Sequence, residues 1–142
     1  MTNSVLQAYR LSPQQARLWA LGSTSPALPL GVACALGLRG ELDADGLAEA
    51  LARVVARHEI LRTAVRPGAE GEPVQVVDGS VPGGLEVRDL AGLPERERAA
   101  VEAAAWAAAV APHGGAADGA PLRAVLFRRA ADDHVLHLSL SA

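Results

Sequence analysis

The sequence predicts a two-layer α/β (α+β) fold in which helices pack on a mixed β-sheet. Three observations carry this expectation. An apolar repeat of helical period runs through "LDADGLAEALARVVARHEILR", an unbroken apolar run spans Leu30 to Leu38, and strand-like segments separated by turn residues occur at 60–78 and 122–142. Helical and extended segments alternate unevenly, which favours a mixed sheet.

Tyr9 to Leu21 reads as the opening helix. Ser12 is placed to cap its first turn, Pro13 takes the first helical position, where a missing N–H costs nothing, and Leu18 and Trp19 supply a side to bury. The loop "GSTSPALP" breaks this helix. Leu30 to Leu38 then reads as a strand covered on both faces, with Gly40 ending it. In the second helix Leu47, Ala50, Leu51, Val54, Val55 and His58 form one stripe. Asp43 is its N-cap and Asp45 adds negative charge at the positive end. Arg53, Arg57 and Arg62 bring positive charge to the other end, so the helix is expected to stop near Glu59.

"ILRTAVRP" and "PVQVVDG" predict a hairpin through the turn "PGAEGEP", and "LEVRDL" a short extended piece. "LPERERAAVEAAAWAAAVA" predicts an alanine-rich helix with Pro94 near its start. "PHGGAADGAP" is irregular, and "LRAVLFRR" and "HVLHLSLSA" are two strands joined by the turn "AADD". Neither internal repeats nor a linker divide the chain, so residues 1–142 read as one domain.

Composition narrows the function classes. Half of the residues are hydrophobic, 20% are charged with both signs interspersed, and the formal net charge is -3, which excludes a disordered polyelectrolyte and argues against nucleic acid as a partner. All 13 basic residues are arginines, which reads as codon bias. The single cysteine, Cys34, has no partner for an internal disulfide, which suits a reducing cytoplasm. Between Ala33 and Ala35 it reads as a small packed hydrophobe. Neither a signal peptide nor an apolar run of about 18 residues is present, so no membrane is expected.

Spacing alone yields no convincing active site. On a strand, His134, Leu136, Leu138, Leu140 and Ala142 share one side, whereas Val135, His137, Ser139 and Ser141 share the other. His134 and His137 therefore project oppositely and do not make a metal pair. His137 with Ser139 and Ser141 lacks an acid and an oxyanion loop, and reads as a polar, partly solvated face. His58 reads as an imidazole packed at a helix end. His113 sits in a glycine-rich loop, Trp19 and Trp106 are packing residues, and "ERER" is a solvated helix face.

Two stretches say more by resemblance. "VARHEILRT" resembles the second core motif of nonribosomal peptide synthetase condensation domains, in which Arg-His-Glu precedes a hydrophobic residue, Leu, Arg and Thr. "LSPQQARLWAL" is similar to their first motif, matched in order by Ser12, Gln15, Arg17, Leu18 and Trp19. "ALGLRGELDADGLAEAL" and "GAPLRAVLFRRAADDHVLHLSLSA" extend the likeness over nearly the whole chain.

The resemblance implies one lobe, the N-terminal one, of the chloramphenicol acetyltransferase-like fold. In that fold two lobes enclose a tunnel where a donor thioester and an acceptor amine, each on a phosphopantetheine arm of a carrier protein, form an amide. The family's His-His-x-x-x-Asp-Gly motif directly follows the strand matched by His134 to Leu140. Ser141 and Ala142 stand where its two histidines would be, so no catalytic residue is assigned. Neither side chain does the work of an imidazole in handling the amine proton, and the resemblance therefore implies a truncated or degenerate lobe, inert alone.

Ser12, Gln15, Arg17, Trp19, Arg57, His58, Glu59, Arg62 and Thr63 are then structural motif residues. Arg62, without the family's acidic partner, is expected to be solvated or bonded to Glu59 or to backbone carbonyls. The implied partners are a peptidyl carrier protein, adjoining synthetase domains, and a second lobe or a self-associating surface in its place. No cofactor is expected to bind directly, and no metal. A split enzyme completed by another chain and an independent small binding module stay open beside this reading. The loop before Leu122 departs from the family's Phe-Asp-Leu pattern, which bears on packing under the helix that carries Trp106.

Overall fold

The structure, a computed structural model, describes residues 7–25, 31–78, 84–111 and 121–141. The chain runs β1 (Gln7–Arg10), α1 (Pro13–Thr24), β2 (Gly31–Arg39), α2 (Ala44–Arg57), a 3₁₀ turn (Glu59–Arg62), β3 (Thr63–Pro67), β4 (Pro73–Val77), β5 (Leu85–Asp89), α3 (Glu95–Val110), β6 (Leu122–Ala130) and β7 (Asp133–Ser141). The strands form two sheets. One is antiparallel, in the order β1-β4-β3, and contains the expected hairpin. The other is mixed, in the order β2-β7-β6-β5, with β5 parallel to β6 and the remaining pairs antiparallel. This is the mixed α/β architecture that the sequence predicts.

The core sits in the mixed sheet. Leu126 pairs with Leu136 and Phe127 with Val135 across β6 and β7, so alternation sends the first pair to one face and the second to the other. Leu126 is 1% and Phe127 0% exposed, so both faces are covered there. On the Phe127 side Val101 and Ala105 of α3 and Leu93 pack against Leu90, Phe127 and Val135. Truncating Phe127 to alanine in so closed a site costs about 3–5 kcal/mol.

Several expectations need correction. Tyr9 and Arg10 belong to β1, which pairs with β4, and the opening helix starts only after Ser12 and runs on to Thr24. The strand expected to be covered on both faces is an edge strand with most of its residues exposed, Val32 among them at 73%. Cys34 on it is exposed rather than packed. The inward stripe of α2 runs through half-buried Ala44, Leu47, Ala48 and Leu51 to buried Val55, while Ala50, Val54 and His58 face outward. His58 misses the stripe because the helix ends at Arg57, leaving His58 as an extended C-cap. Ile60, Leu61 and Arg62 form the 3₁₀ turn, not the start of β3. The His137 face of β7 is not solvated, because α3 covers it. Leu30, His113, Ala142 and nearly all of the irregular segment before Leu122 lie outside the described residues.

Candidate functional site

The residues singled out by sequence fall at three places. At the start of α1, Ser12 and Gln15 form a reciprocal capping box: the Gln15 N–H donates to Ser12 Oγ at 3.2 Å, and the Ser12 N–H donates to Gln15 Oε1 at 2.9 Å. Two backbone donors that the helix leaves unpaired are thereby satisfied. Arg17 is exposed and Trp19 half-buried on the same helix. The first motif is, in large part, a helix start.

At the corner between α2 and β3, the Arg62 guanidinium donates to the Asp78 carbonyl at 2.7 Å, and the Asp78 N–H donates back to the Arg62 carbonyl at 2.9 Å. A second guanidinium nitrogen lies 3.6 Å from Glu59. Thr63 Oγ1 donates to the Glu59 carbonyl at 2.6 Å. These bonds tie the 3₁₀ turn to the end of β4, so Arg62 holds the corner through a backbone carbonyl and Glu59 together. Arg57 and His58 are exposed beside it.

The third place is the C-terminal half of β7. This strand lies between β2 and β6, with Ser141 opposite Gly31 and Leu140 opposite Leu122. His137 and Ser139 on its α3 side are 7% and 4% exposed. The His137 ring stands edge-on to Trp106 of α3, with centroids 5.5 Å apart, and to Phe127 of β6 at 4.9 Å. Its Nδ1 is buried and has no hydrogen-bond partner among the described residues. Burial pushes the imidazole below its ordinary pKa; the Glu102 carboxylate opposes this shift and Arg129 adds to it. His137 is thus a neutral packing group.

Glu102 and Arg129 complete this layer. Arg129 donates from Nε to Glu102 Oε1 at 2.7 Å and from Nη2 to Oε2, a two-pronged pair between α3 and β6. That hydrogen bonding holds the Glu102 carboxyl below its usual range and raises Arg129. Arg98, one turn earlier on α3, donates to the Arg129 carbonyl at 3.1 Å. Sequence reading missed this cluster. Arg98 and Glu102 are spaced as neighbours on a helix face, but their partner lies on a strand some thirty residues on.

A cavity of about 440 Å³ opens at the other end of β7, lined by Glu41, Leu42, Val87, Leu126, Arg128 and His134. His134 and Ser141 are seven residues apart on an extended strand, roughly 23 Å, so this cavity does not serve the end of β7 where the family's motif would follow.

A mixed sheet with a buried hairpin at its centre, a long helix on one face and a second antiparallel sheet alongside defines one lobe of the chloramphenicol acetyltransferase-like fold. The Condensation domain family model matches residues 5–140. The chain belongs to the condensation-domain family of nonribosomal peptide synthetases. It is 41% identical over 134 residues to the isonitrile lipopeptide synthase of Mycobacterium tuberculosis, covering 91% of this chain and 5% of that protein. It is 39% identical over 130 residues to chondramide synthase of Chondromyces crocatus, covering 90% and 3%. Among solved structures, the condensation domain of the monacolin K polyketide synthase superposes with a TM-score of 0.78 at 27% identity, covering 97% of this chain and 30% of that one. The starter condensation domain of rhizomide synthetase gives a TM-score of 0.81 at 19% identity, a likeness of fold, over 95% of this chain and 32% of that one. The chain thus spans a small fraction of the curated relatives and about a third of these solved chains.

Proposed function

We propose that these 142 residues are the N-terminal lobe of a condensation domain that forms no amide by itself and acts as a scaffold within a synthetase, in contact with a carrier protein or an adjoining domain. The observation that carries the reading is the end of β7. There the sequence carries Ser141 and Ala142, which the resemblance sets at the positions of the family's two histidines. A hydroxymethyl group and a methyl group supply neither the base that takes the amine proton nor an imidazole to stabilise the developing charge. His137, the buried imidazole nearest in sequence, does not substitute, because Trp106 and Phe127 enclose it. In this reading the phosphopantetheine arm belongs to the carrier protein and no cofactor is held by the chain itself. A reducing, cytoplasmic setting agrees with the single cysteine and with the absence, among the described residues, of a helix able to cross a membrane.

A second reading, a split condensation enzyme completed by another polypeptide, is favoured by the exposed apolar edge strand β2. Titrating the labelled chain with a phosphopantetheinylated carrier protein and following amide NMR shifts tests the first. Saturable shifts are expected, and no shift at any carrier concentration would sink the carrier contact. Product appearing only when a second-lobe protein is added would establish the split enzyme instead.

A further inference from the structure

We draw no further inference here: the strongest candidate, the cavity between the start of α2 and the mixed sheet lined by Arg128 and His134, has its guanidinium already paired with Asp89, and nothing in the structure shows what fills or covers it in a chain that spans about a third of the solved domains it superposes on.

Discussion

His137 meets Trp106 edge-on, at 79° between ring planes, and this contact joins α3 to the strand that ends at Ser141. A buried, neutral imidazole at that joint makes stability depend on pH. Its folded pKa lies below the ordinary 6.5, so as pH falls through that value the unfolded chain binds a proton that the folded one refuses. Stability is full above about 6.5, declines below it, and levels off once the lowered folded pKa is passed. Urea midpoints measured on both sides of this window should fall with acid, and His137→Leu should flatten the profile across it.

The Glu102–Arg129 pair acts in a different window. Because Arg129 holds the Glu102 carboxyl below its ordinary 4.5, the pair stabilises the fold above that value and loses its contribution as pH falls through the lowered one. With Arg129 partly open to solvent, Glu102→Gln should cost about 1 kcal/mol near neutral pH. A double-mutant cycle with Arg129→Gln should show coupling of similar size.

At the corner after α2, Arg62→Ala removes the donor to the Asp78 carbonyl and exposes the seam between the 3₁₀ turn and β4. A loss of about 2 kcal/mol is expected in chemical denaturation. His58→Ala, at an exposed position in the same motif, should stay within about 0.5 kcal/mol of the parent.

Ser12→Ala removes one half of the capping box and should cost about 1 kcal/mol. Because no residue of α1 is buried, the effect should be local. Faster amide exchange in the first turn of α1, with the protection of β6 and β7 unchanged, is the expected pattern.

Elements whose signals are local were legible in the sequence. Asp43 and Ser12 cap helices as their types and positions demand, and "PGAEGEP" turns the hairpin between β3 and β4. What the sequence concealed depends on contacts between distant segments. The apolar composition of β2 suggests a buried strand, but its place at the sheet edge leaves it open, a matter of strand order and not of residue type. The alternation in β7 gave the right partition of faces, yet the polar face became interior once α3 was laid on it, which no local pattern announces. The family motifs were visible as words, whereas their physical content, a capping box and a backbone-anchored corner, required the fold.

Amide formation by the purified 142 residues, supplied with a donor and an acceptor aminoacyl thioester on carrier proteins and followed by mass spectrometry, tests the central claim most directly. The side chains at the end of β7 predict no product above the rate without protein. Condensed product formed repeatedly by this chain alone would contradict the account.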